Sequence, residues 1–306
     1  MPFLFALWAA MPCVVDATEP PVFPRVCAVP LPHQEVAFEV ENVEVARYHY
    51  GGDTSKPYLY PFIGPAGRSL LRLGHPHDPD GHRHHLGVWV AHKSVNGHSF
   101  WEEDTGSRIA HERIEAMEDG GDAASLIAHN TWLSADGKSL LNERRTTTLH
   151  NLGSVETCLD ITIELSPAEG DVILDKTPFG FLGVRVAKTM STNDGGGAIR
   201  NSQGDINEEQ VLWKRARWVD YTGPVAPGTD NGIALFDHPD NPRFPTYFHV
   251  RGDGWMGASF CYEDPYTIKT GDTLVLRYRL LAHGQGPQAA ADRIEGYWQR
   301  WAKEKP

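Results

Sequence analysis

Apolar and polar residues alternate along most of this chain with a period of two, the period of a strand covered on one face. Val155–Leu165 keeps the alternation over eleven residues: Val155-Glu156-Thr157-Cys158-Leu159-Asp160-Ile161-Thr162-Ile163-Glu164-Leu165. Val36–Val40, Val43–Val45, Asp171–Leu174, Phe181–Val186, Gly232–Phe236 and Leu274–Ala282 read as further strands. Between them stand turn formers: Gly51-Gly52-Asp53, Asp119-Gly120-Gly121-Asp122, Asp194-Gly195-Gly196-Gly197 and Gly252-Asp253-Gly254. Neither a repeat nor a linker interrupts residues 25–285. The pattern predicts an all-β fold, one large antiparallel sandwich over residues 25–306. The period changes to that of a helix at the end, where Ile294, Trp298 and Trp301 form an apolar stripe and Pro287 suits a helix start.

Composition supports the strands: 30 Gly and 22 Pro favour short elements joined by turns. Acids outnumber bases by 40 to 28, a net charge of −12, which argues against nucleic acid or anionic lipid as a partner. Past residue 17 no apolar run is long enough for a spanning helix. Residues 1–17 carry a short apolar run from Phe3 to Ala10 and end on small residues at Ala17. They read as a secretory signal, which places the protein in the periplasm or outside the cell. Cys27, Cys158 and Cys261 then remain, as one disulfide and a thiol or as buried thiols.

Histidine changes the picture most. The chain has 15, and 8 of them fall between residues 75 and 111. His84 and His85 precede the apolar strand Gly87–Ala91 and His92 follows it. Imidazoles at strand ends suit proton transfer. They also suit a divalent metal, with His75/His77 and His82/His84 as i, i+2 pairs and Asp78 and Asp80 as oxygen ligands. Three other segments carry chemistry. Gly232–Phe236 delivers Asp237 and His238 to a Pro-rich loop with Asn241. Phe179–Lys188 sets Arg185 in an apolar strand, where a cation needs a partner. Lys56–Pro65, followed by Arg72, offers aromatic and cationic surface. Trp89 and Trp101 flank the histidines, and Trp, His, Asp, Asn and Arg together make a carbohydrate-pocket composition.

Several of these pieces resemble a bacterial family known as PmoA-like: Tyr58–Pro65, His84–Trp89, Val95-Asn96-Gly97 with Phe100-Trp101, Arg217–Tyr221 and Asp237–Pro242. The resemblance runs from about residue 35 to the C-terminus. The name comes from a multi-span copper membrane subunit of methane monooxygenase. A chain without such spans does not carry that activity. Tyr266–Leu280 is similar to the closing strands of galactose-mutarotase-like supersandwiches, and that likeness implies sugar chemistry.

Together these readings give a carbohydrate-active protein: a lyase, epimerase or glycoside hydrolase acting on a sugar or sugar-derived small molecule. His85 and His92 would be the general acid and base, with Asp237 as their carboxylate partner. His84 would orient or ligate, and Arg185 and Arg72 would hold a carboxylate or polarised oxygen. Trp89, Asn96, Trp101, His238 and Asn241 would line the site, with Glu102 and Glu103 as the acidic pair a hydrolase needs. The alternatives are a non-catalytic carbohydrate-binding protein and a His-ligated metal enzyme. The cofactor and the oligomeric state are not legible in the sequence.

Overall fold

A computed structural model describes residues 23–74, 82–153, 155–284 and 287–304, apart from the side chains of 287–289. The signal-like segment, His75, His77, Asp78 and Asp80 lie outside these residues.

Two antiparallel sheets pack face to face. The first has nine strands, in spatial order β1 (Val26–Leu31), β2 (Glu35–Val40), β3 (Val43–His49), β4 (Tyr58–Phe62), β5 (Val88–His92), β11 (Gly180–Arg185), β17 (Trp255–Ser259), β16 (Tyr247–Arg251) and β13 (Lys214–Arg215). The second has eight: β12 (Ala198–Asn201), β14 (Trp218–Ala226), β15 (Thr229–Asp237), β19 (Leu274–His283), β9 (Thr157–Pro167), β8 (Ser139–Asn151), β7 (Ala123–Leu133) and β6 (Arg108–Glu118). A ribbon of β10 (Val172–Leu174) and β18 (Tyr266–Ile268) lies apart from both, α1 (Asn207–Val211) is a short helix, and α2 (Pro287–Trp301) ends the fold. The large antiparallel sandwich with a C-terminal helix is therefore the fold the residue pattern predicts.

The sheets meet in one apolar core. In β7, buried and half-buried residues alternate throughout, and Leu159, Ile161, Ile163 and Leu165 of β9 all point into that core. The centre of the first sheet is different: β5, β11 and β17 are buried at every residue. Their inward residues, Val88, Val90, Leu182, Val184, Met256 and Ala258, join the main core. Trp89, Ala91, Trp101 and Trp255, with Tyr58 and Phe179 against them, form a separate apolar cluster. These strands thus read as continuous apolar runs because both faces are covered.

The helix stripe docks as its spacing predicts. Ile294 and Trp301 are buried against Cys158, Trp218, Ala234, Phe236 and Leu281 of the second sheet, with Trp298 packed beside them. Cys27, Cys158 and Cys261 are all free thiols, and burial pushes Cys158 and Cys261 above the ordinary thiol range, the latter to about 12. Cys158 and Cys261 are buried as the second reading for the cysteines has it, whereas Cys27 is only half-buried. Among the described residues no helix is long and apolar enough to cross a membrane.

Candidate functional site

The site grows from strand register. Tyr58, Trp89, Gly183, Gly257 and His249 are cross-strand neighbours in one row over β4, β5, β11, β17 and β16. The next row aligns Arg185, Trp255 and Arg251. Side chains two apart on a strand share a face, so both rows project from the outer face of the first sheet. Glycine at 183 makes room: a Cβ there would sit 2.8 Å from both the Trp89 and the Trp255 indoles. Gly87 turns the chain into β5 with φ +68°, and a Cβ on it would meet the Leu59 carbonyl at 2.3 Å. The turn before it brings His82, His84 and His85 over the tryptophans.

An open cavity of about 650 Å³ lies above this floor. Its aromatic lining is Trp101, Phe179 and Trp255, and its imidazoles are His82, His84, His85 and His249. Its charged groups are Lys93, Glu102, Glu208, Arg251 and Asp253, with Asn193 beside them. The His85 ring lies flat against His82 (centroids 4.7 Å, 4°), Trp89 (5.0 Å, 24°) and Trp255 (5.1 Å, 17°). His84 meets His85 edge-on at 4.4 Å.

Burial removes these rings from water and disfavours their cations. Burial, then Lys56, lowers His84 to about 4, and burial with Arg251 lowers His249 to about 4. Burial, helped by His84 and Arg185, drives His85 far below the ordinary imidazole range. At neutral pH all three are therefore neutral bases. His85 Nδ1, His249 Nδ1 and Trp255 Nε1 are buried without a hydrogen-bond partner among the described residues.

The charged groups are paired. Lys93 Nζ lies 3.1 Å from Glu102, which also accepts from Ser99. Burial raises Glu102, but the Ser99 and Lys93 hydrogen bonds outweigh it and hold the carboxyl below its ordinary value. Arg251 Nε lies 2.7 Å from Glu208, and Arg185 Nη1 lies 3.0 Å from Asp253. Behind Trp101, the fully buried Lys56 ammonium donates to the Trp101 carbonyl at 3.1 Å, to Ser55 Oγ at 3.0 Å and to Glu103. A buried cation so enclosed fixes the backbone that carries the Trp101 wall.

His84, His85 and Trp101 line the cavity as expected. Trp89 lies in the floor beneath, and Arg185 is buried behind Asp253, with Nη2 3.4 Å from His82. Arg72 is not among the lining residues; its N–H donates to the Arg185 carbonyl at 2.9 Å. The remaining expectations are corrected. His92 is fully buried, donates from Nε2 to the Asp175 carbonyl at 3.0 Å and stacks on Phe181, so it has no face toward the cavity. Asn96 is an exposed turn residue whose Oδ1 accepts the Ile173 N–H. Asp237 sits at the end of β15 in the other sheet. Its carboxylate accepts Asn241 Nδ2 and the Thr246 N–H, each at 2.7 Å. Asn241 also bonds both backbone groups of Arg277, and His238 packs against Trp301 with Arg277 3.0 Å from its Nε2. These three residues tie loops together; the expected meeting of His85 and Asp237 in one cleft does not occur.

Sequence reasoning passed over Trp255, His249, Arg251, Asp253 and Glu208. The alternation Tyr247-Phe248-His249-Val250-Arg251, closed by the turn at Gly252–Gly254, carries the signal for His249, Arg251 and Asp253, and Trp255 follows that turn directly. Among the described residues no three His, Cys, Asp or Glu side chains are placed to hold a metal ion.

No curated protein matches this chain. Among solved structures, it is similar to a heparan sulfate lyase, HepC from Pedobacter heparinus, at 8% identity and a TM-score of 0.41, over 83% of this chain and 36% of that one. It is similar to a heparinase III gene product at 11% identity and a TM-score of 0.30, over 83% and 33%. A third structure, HI1317, has 7% identity and a TM-score of 0.27, over 83% and 98%. The chain spans about a third of the length of the first two structures, and these identities and scores lend it no activity. The PmoA-like name rests on the motif resemblance alone, whereas residues 35–299 match the model of DUF6807, a family of unknown function, and the chain belongs to that family.

Proposed function

We propose that the outer-face cavity binds a carbohydrate and acts on it by proton transfer, as an epimerase or lyase. One observation carries the reading: His84, His85 and His249, held neutral by burial and packed against tryptophans, open into an aromatic-lined cavity. Aromatic faces receive the apolar face of a sugar ring, and carboxylates and amides receive its hydroxyls. A neutral imidazole is the form that accepts a proton. His84, at the cavity wall and half-buried, is the base; His85, locked between rings, orients it and offers a ring nitrogen.

Hydrolysis fits less well. It requires one carboxylic acid kept protonated beside an ionised partner. Glu102 is held below its ordinary value, and Glu208 and Asp253 each face an arginine. The N-terminal signal pattern supports a periplasmic or secreted setting for this chemistry.

The test is proton NMR of a saccharide library in deuterated buffer. The reading expects loss of one C–H resonance by exchange, or new olefinic signals. It expects His84→Ala to slow either change at least a hundredfold. Full turnover by both His84→Ala and His85→Ala on a substrate the wild type turns over would overturn it. Binding with no turnover would leave a carbohydrate-binding protein in its place.

A further inference from the structure

We infer that the ligand of this cavity is an uncharged saccharide rather than a uronate or a sulfated sugar; the inference rests on the carbohydrate reading and deepens it, and of the two proposed reactions it keeps epimerisation next to the sugar's own carbonyl, because β-elimination takes its proton from the carbon beside a uronate carboxylate. Among the described residues, every Lys and Arg at the cavity already faces an acid: Lys93 faces Glu102 at 3.1 Å, Arg251 faces Glu208 at 2.7 Å, and Arg185, behind the wall, faces Asp253 at 3.0 Å. The lining itself holds three carboxylates against two cations. His84, His85 and His249 add no charge at neutral pH. Lys56, the other cation near Trp101, is fully buried and bound to Glu103.

An anionic sugar would have to break one of these pairs and then sit among three like charges, a juxtaposition that binding sites use to reject a partner. An uncharged sugar meets no such obstacle. Carboxylates anchored by a cation keep lone pairs for sugar hydroxyls. The unpartnered nitrogens of His85, His249 and Trp255 add hydrogen-bonding capacity in the floor, and Trp101 and Phe179 add ring faces. This differs from the role the sequence suggested for Arg185 and Arg72, which was to hold a substrate carboxylate.

The experiment is a glycan array spanning neutral, uronate and sulfated oligosaccharides, followed by calorimetry on the best of each class with the full chain. The expected result is neutral-sugar binding, with matched anionic sugars at least tenfold weaker. Glu102→Gln, which frees Lys93, is expected to narrow that gap at least threefold. Tighter binding of uronate or sulfated sugars overturns the inference and leaves the carbohydrate reading standing. Binding of no saccharide of any class overturns both. Equal affinity for the two classes also overturns the inference.

Discussion

The outer face of the first sheet and the junction of β15 with α2 hold the same kinds of residue. Each has buried histidine and tryptophan with acids beside them, and in each burial moves proton affinities far from their ordinary values. Burial raises Asp237 to about 7 against the pull of Asn241 and the Thr246 N–H, much as it lowers His84 and His249 to about 4. The difference lies in satisfaction and access. At the junction Asp237, Asn241 and His238 spend their polar atoms on one another, on Arg277 and on nearby backbone. At the cavity, ring nitrogens remain without partners beside a volume large enough for a sugar. A perturbed proton affinity marks burial; a perturbed affinity next to unfilled hydrogen-bonding capacity marks a site.

Substitutions can break this contrast. The largest expected effect is at the junction. Asp237→Ala leaves Asn241 and the Thr246 N–H without their buried acceptor, and should cost about 3–4 kcal/mol in chemical denaturation while ligand affinity stays within about twofold. At the cavity the pattern reverses. Trp255→Ala should weaken saccharide binding by about a hundredfold, near 2.7 kcal/mol, measured by calorimetry. Gly183→Ala pushes a methyl between two indoles 2.8 Å away and should lower stability by about 1–3 kcal/mol, with a measurable loss of affinity as the floor shifts.

Acid and base titration should separate the regions by sign. His249 has a folded value near 4 against 6.5 when free, so its contribution is complete above 6.5 and is lost as pH falls toward 4. Asp237 has a folded value near 7 against 3.8, so its contribution is complete below 3.8 and is lost as pH rises through 7. Thermal melts should show His249→Gln flattening the loss of stability on the acid side and Asp237→Asn flattening the fall in stability between pH 4 and 7, each by about 2 kcal/mol. The smallest effect is at Asn96, where Ala in a turn with φ +49° should cost about 0.5–1 kcal/mol and leave binding intact.

Much of the fold was legible because period-two patterning and turn residues are local. The alternation Val155–Leu165 corresponds to β9, and the stripe Ile294, Trp298, Trp301 to the docked face of α2. The histidine run led to the right region, since His84 and His85 sit one turn before a strand buried on both faces. What was not legible is which distant strands become neighbours. β5 pairs with β11, and β11 with β17, across separations that carry no local signal. Asp237 resembled a catalytic acid because an apolar strand ending in Asp-His has the same local appearance whether it opens on a cavity or closes under a helix. Trp255 and His249 carry no local mark of a site; only the pairing through Gly183 and Gly257 places them in one surface.

The central claim is that the ligand sits on the outer face of the first sheet. A crystal structure of the protein with a bound saccharide tests it most directly. The account predicts a sugar ring against Trp101 or Phe179, its hydroxyls toward Glu102 or Asp253 and a carbon or hydroxyl within reach of His84. A saccharide bound at the junction beside Asp237 and α2, with the histidine cavity empty, would contradict it.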